Sequence, residues 1–162
     1  MHFNQLEALR WSHDTISGVD YDQHDCTIEN VWWNDVSEDA LNVKGGSSSS
    51  ITTVTSGRAL PVDDKVIQHN GADTVKIDGF YGKDVSKLCR SCGTCGDKQR
   101  KVSVTNVYVV NPTNAVVTVN KNWNDEGTLS NVWVKSSYQG GAMQRGRTPF
   151  SLFQIAPKLW FT

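Results

Sequence analysis

Four segments of this chain repeat one another. They are Thr27-Ile28-Glu29-Asn30-Val31-Trp32-Trp33, Val75-Lys76-Ile77-Asp78-Gly79-Phe80-Tyr81, Val104-Thr105-Asn106-Val107-Tyr108-Val109 and Leu129-Ser130-Asn131-Val132-Trp133-Val134. Aligned on their turn residues Asn30, Gly79, Asn106 and Asn131, they are separated by 49, 27 and 25 positions. The first gap is about two periods, and apolar runs at 51–55 and 65–69 fill it. A period of about 25 residues, with short strands and almost no helical pattern, is the length of one solenoid coil. Each coil leaves an apolar face that only the next coil can cover, so the core of such a chain is a continuous stack. The repeat predicts an all-β fold, a single-stranded parallel β-helix, in preference to a β-sandwich, whose strands also recur between turns.

Strands rich in Val, Ile, Thr and aromatics are expected at 27–33, 51–55, 65–69, 74–81, 102–110, 115–120 and 128–134. Pro61 and Pro112 fall between such runs, where they remove no ladder bond. One weak helical turn is expected near 5–11. The 162 residues form one domain, with an atypical N-terminal segment at 1–16, coils over 17–139 and a divergent tail at 140–162 that can cap the last coil. Sixteen Lys and Arg against 17 Asp and Glu exclude a bulk-basic nucleic-acid binder. No apolar run reaches the roughly 20 residues of a membrane span. We expect a monomer with neither nucleic acid nor membrane as partner. Residues 1–10 show no basic and apolar export signal, so either the chain is not exported or a leader is missing from it.

Several residues read as structural. His69 ends a strand with no Ser or Cys partner that would signal a triad. Trp32 and Trp33 are adjacent and so face opposite sides of a strand; one belongs in the core, while the other can be exposed and stack on a sugar ring. Asn30, Asn106 and Asn131 suggest an internal amide ladder, and the serine run at 47–50 a loop tip. Cys26, Cys89, Cys92 and Cys95 allow three full pairings. A zinc site is the weaker reading, because structural zinc sites use separated ligand pairs.

Charged residues recur near the same period. Lys65 follows Asp39 by 26 positions and Arg90 follows Lys65 by 25, with Glu38 and Lys87 beside them. Residues one period apart stack on one outer face, so this spacing predicts a column that is acidic at one end and basic at the other. The Glu38–Asp39 pair suits a hard cation such as calcium, which takes carboxylate oxygens. The basic members would face an anionic substrate. A solvated face of scattered charges is the plain alternative.

Three blocks carry a family resemblance: Cys26-Thr-Ile-Glu-Asn-Val-Trp-Trp-Asn-Asp-Val-Ser-Glu-Asp-Ala40, Asp63-Asp-Lys-Val-Ile-Gln-His-Asn-Gly71 and Lys87-Leu-Cys-Arg-Ser-Cys-Gly-Thr-Cys95. They resemble polysaccharide lyase family 3, the small pectate lyases, in their nematode and oomycete detail, from about residue 18 to 139. The resemblance implies a right-handed parallel β-helix, secretion, and calcium-dependent β-elimination of α-1,4-polygalacturonate in plant cell-wall pectin, giving 4,5-unsaturated oligogalacturonides. It assigns Glu38 and Asp39 to calcium, Lys65 as the base, and Lys87 and Arg90 to the uronate carboxylate. A lysine serves as base only when burial or neighbouring cations push its pKa down. At a third calcium position of the family this chain carries Ser17, with Asp14 and Asp20 (or Asp22) as potential substitutes. Tyr21 and Ser37 stand where relatives often have Cys, and Cys89 stands for a usual Tyr. Family members extend several coils further at the N-terminus. These departures leave one alternative, a truncated and impaired β-helix that binds acidic polysaccharide or is an inactive remnant.

Overall fold

The structure, a computed structural model, describes residues 26–44 and 46–135 in full and the backbone of 10–12, 19–21, 136 and 151–154. Its strands are, in chain order, β1 (Arg10–Ser12), β2 (Val19–Tyr21), β3 (Thr27–Glu29), β4 (Trp32–Val36), β5 (Leu41–Val43), β6 (Ile51–Thr55) and β7 (Arg58–His69). There follow β8 (Thr74–Asp78), β9 (Tyr81–Lys83), β10 (Val85–Ser91), β11 (Lys101–Val110), β12 (Ala115–Thr118), β13 (Glu126–Ser136) and β14 (Ser151–Gln154). All pair in parallel except β13 with β14. The result is the expected all-β solenoid, of about four coils.

Three faces result. The first stacks β3, β6, β8 and the leading halves of β11 and β13. The second stacks β1, β4, the start of β7, β9 and the trailing halves of β11 and β13. The third stacks β2, β5, the end of β7, β10 and β12. Alternation within each strand turns every second residue inward, and the register places these over one another. Ile28, Val54, Ile77, Val104 and Leu129 form one such buried column. Removing each from water contributes roughly 1.5–3 kcal/mol.

The corner between the first and second faces explains the repeat. Asn30, Ser56, Gly79, Asn106 and Asn131 all adopt left-handed backbone, with φ of 55°, 54°, 66°, 53° and 51°. Glycine and asparagine tolerate this conformation best. Ser56 is the member that the sequence repeat lacked. Asn131 Nδ2 donates to Asn106 Oδ1 at 2.7 Å, and Asn106 Nδ2 to Asp78 Oδ1 at 2.9 Å. This ladder is exposed rather than internal, because the left-handed corner turns its side chains outward. One residue later, Gly57 leaves room for the Phe80 ring, which a Cβ at Gly57 would approach to 2.6 Å.

The core also holds a polar chain. Cys26 Sγ donates to Thr52 Oγ1 at 3.8 Å, Thr52 Oγ1 donates to Asp73 Oδ2 at 2.9 Å, and His69 Nε2 donates to Asp73 Oδ1 at 2.9 Å. Asp73 thus joins residues from the first and third faces, and His69 has the structural role expected. Cys92 and Cys95 form a disulfide. Cys89 is a buried thiol whose pKa is pushed up to about 12, mainly by burial and also by Asp73. A buried thiol and a closed disulfide leave these four cysteines without a zinc site, and one pair forms among them rather than two. The fully buried Arg100 ties the loop before β11 to the turn after β7, donating from Nη2 to Asn70 O at 2.9 Å and from Nη1 to Lys98 O at 2.9 Å.

The tail strand β14 runs antiparallel along β13, with Val134 opposite Phe153, and so covers backbone that an open coil would expose. Of the expected helical turn, Arg10 and Trp11 are strand and the remainder lies outside the described residues. A 3₁₀ turn does occur at Lys121–Trp123. Asp73→Ala would leave the buried Thr52 and His69 groups without their acceptor, at roughly 1–3 kcal/mol for each. Urea unfolding should show this loss as a lower midpoint with an unchanged slope.

Candidate active site

On the third face the register is Lys65 with Lys87 and Gln68 with Arg90. The Ala40 amide donates to the Lys65 carbonyl at 3.0 Å, which places Asp39 one rung before Lys65. The spacing argument put Arg90 in line with Lys65, and the structure corrects this. At this face the coil from β7 to β10 is 22–23 residues long rather than 25, with a one-residue register shift between Val85 and Lys87. Lys87, 22 residues after Lys65, is therefore its neighbour, and Arg90 belongs to the next column with Asn42, Gln68 and Thr118.

Residues three apart in a flat strand face opposite sides. Lys87 and Arg90 nevertheless both point outward, because the strand bends between them. Leu88 and Cys89 are both buried, which marks the corner, and Val66 and Ile67 mark it one rung earlier. The same bend puts Lys65 and Gln68 on the outside. The two columns therefore lie side by side along the solenoid, and outward groups of both border the bend.

Lys65 is the centre of this group. Its side chain is only 8% exposed, and its ammonium lies 3.0 Å from Asp39 Oδ1, itself 18% exposed. A second carboxylate, Asp64, also touches Lys65 and reaches Lys87 Nζ at 3.8 Å. Lys87 donates to Ser86 Oγ at 3.4 Å. Arg90 is exposed and makes no ion pair or side-chain hydrogen bond among the described residues. Asp64 is the residue that the sequence reasoning missed. It adjoins Lys65 inside a quoted block, but nothing in the spacing showed that it would turn to the same side.

Burial raises the Asp39 pKa and outweighs the nearby Lys65 ammonium, and the like charges of Asp64 and Glu38 add to the rise. Burial opposes the charge on Lys65, but hydrogen bonds to Asp64 and Asp39 outweigh it and its pKa is raised. The neighbours that were expected to push this lysine down are cations; those that touch it most closely are carboxylates. Lys65 is thus held as an ammonium.

Glu38 is exposed beside Asp39. No group of three potential metal ligands occurs among the described residues. Asp14 and Ser17 lie outside them. The Asp20 backbone pairs with Asn42 and so belongs to the Arg90 column rather than to that of Asp39. Glu38 and Asp39 fit a hard cation in chemistry: both offer carboxylate oxygens, and crowding of like charge around Asp39 is what such an ion relieves.

A raised Lys65 pKa stabilises the fold fully below the ordinary lysine value of about 10.4 and loses that contribution as pH climbs through the higher folded value. Lys65→Met should therefore flatten this part of the alkaline stability curve. Urea midpoints of both proteins, followed from neutral to strongly alkaline pH, would show it.

A family model described as pectate lyase matches residues 4–144. Probable pectate lyase G of Emericella nidulans is 49% identical over 116 residues, covering 72% of this chain and 44% of that protein. Pectate lyase H of the same organism is 46% identical over 117 residues, with 72% and 44% covered. Probable pectate lyase D of Aspergillus fumigatus is 47% identical over 117 residues, with 72% and 47% covered. The chain spans under half the length of these relatives.

Proposed function

Because the chain belongs to the pectate lyase family, we propose that it cleaves polygalacturonate by calcium-dependent β-elimination, giving 4,5-unsaturated oligogalacturonides. The observation that carries this reading is the cluster of Asp39, Lys65, Asp64 and Lys87, with Arg90 exposed across the same bend of the third face. An uronate carboxylate needs cations beside it, and Lys87 and Arg90 supply them. Arg90 has its full fork of donors to offer, which suits bidentate binding of a carboxylate. Glu38 and Asp39 would hold calcium. When bound, calcium supplies positive charge that neutralises the uronate carboxylate and stabilises charge developing at C5.

Lys65 would take the C5 proton. The C5–H bond breaks, its electron pair forms the C4–C5 double bond, and the C4–O bond breaks with its pair going to the leaving sugar oxygen, which takes a proton from water. Lys65 must be a free amine for this. Asp39 and Asp64 retain its proton, and one of these two partners would be withdrawn if Asp39 were engaged in holding the cation. Asp64 remains to orient Lys65 against Lys87. The Cys92–Cys95 disulfide supports an oxidising, extracellular setting.

The test is ultraviolet absorbance of the unsaturated product from polygalacturonate with calcium at alkaline pH. Turnover should vanish with chelator, and Lys65→Ala should lower it by at least ~100-fold, the usual scale of general-base catalysis. Absence of product from a protein shown to be folded by circular dichroism would reject the reading.

A further inference from the structure

The second face carries a column that the proposed chemistry does not use. Trp32, Arg58, Tyr81, Tyr108 and Trp133 are in register over five successive rungs. Trp33 turns inward and is 4% exposed, whereas Trp32 is 40% exposed. The Arg58 guanidinium lies over the Trp32 ring, 3.6 Å from its centroid. Tyr81 and Tyr108 stack at 6.0 Å and 14°. That separation exceeds the rung spacing of about 4.8 Å, so the rings are offset and part of each face stays open. Trp133 Nε1 donates to Asn131 Oδ1 at 2.8 Å. The Trp32 indole N–H, the two tyrosine hydroxyls and the Arg58 guanidinium make no hydrogen bond or ion pair among the described residues.

Two residues further along each strand, the same outer side bears Asn34, Leu60, Lys83, Val110 and Lys135. These two columns hold three cations, Arg58, Lys83 and Lys135, and no acid, in a chain whose formal charge is −1. Acids appear only beyond them, at the bordering turn, where Asp84 lies 3.8 Å from Lys83. Aromatic surface and hydrogen-bond donors, running straight for roughly 19 Å along the axis, match the apolar faces and hydroxyls of a linear sugar polymer. The cations fix its charge.

We propose that this face is a second binding surface, separate from the Lys65 site, for an acidic polysaccharide chain lying along the solenoid axis. It goes beyond the proposed reaction and rests on it only for the choice of polygalacturonate as probe. Trp32 and the tyrosines supply the platform, and Arg58 pairs with a uronate carboxylate while resting on Trp32. The cation–π contact keeps the guanidinium planar against the ring, with its N–H edge free to donate.

The experiment is affinity electrophoresis of the full chain in polygalacturonate gels, in a Lys65→Ala background so that the polymer survives. Arg58→Gln should weaken retardation about tenfold, the scale of one charge-assisted hydrogen bond, and Trp32→Ala should also weaken it. In the otherwise unaltered chain, Arg58→Gln should raise KM for polymer and leave kcat and turnover of trigalacturonate unchanged. If Trp32→Ala fails to fold, Lys83→Glu tests the same face without touching the core. Retardation unchanged in Arg58→Gln and Lys83→Glu, or abolished by Arg90→Ala alone, would overturn the proposal. Equal retardation by neutral hydroxyethylcellulose would overturn its charge preference. Loss of retardation in the Arg58 variant of a chain with no lyase activity would sink the reaction and leave this surface standing.

Discussion

Every feature of this protein depends on parallel strands of successive coils staying in register. A rung of about 4.8 Å leaves no room for a side chain to wander, so each position meets its own counterparts above and below. Apolar positions become columns such as Ile28, Val54, Ile77, Val104 and Leu129. Polar positions become ladders, and charged positions become columns of charge. A solenoid therefore multiplies whatever one coil places at a given point, which makes its faces chemically uniform in a way that a sandwich is not.

The candidate site arises where that uniformity breaks. Two adjacent buried residues at Leu88–Cys89 and at Val66–Ile67 bend the third face, and the bend brings outward groups from both sides together. The one-residue register shift before Lys87 then sets Lys87, rather than Leu88, beside Lys65. Carboxylates from two rungs close on the largely buried Lys65 ammonium, while Asp64 stays partly exposed. Its composition, acids and bases in one small volume, is what the proposed binding of a cation and an anionic sugar would use.

The polar chain through Asp73 and the buried Arg100 show the complementary rule. Both are deep inside, and both meet partners: Asp73 accepts from Thr52 and His69, and Arg100 donates to backbone carbonyls of a loop. They hold the irregular segments at the rim of the third face, next to the strand that carries Arg90. Support for the site is thus built from residues that never touch it.

The repeat at Asn30, Gly79, Asn106 and Asn131 declared the solenoid by itself, because a left-handed corner accepts few residue types and so leaves a mark in the chain. Glu38, Asp39, Lys65, Lys87 and Arg90 were legible as a charged group for the same reason: residue type and approximate period are local properties. Their partners were not. Whether Lys87 or Arg90 stands over Lys65 depends on the length of the coil between them, whether Asp64 turns toward Lys65 depends on the path of the strand, and which cysteines join depends on where a loop closes. Ser56 joined the corner without its signature because its neighbours impose the conformation. Each of these was decided by contacts between coils, and coil-to-coil contact is what one period of sequence does not contain.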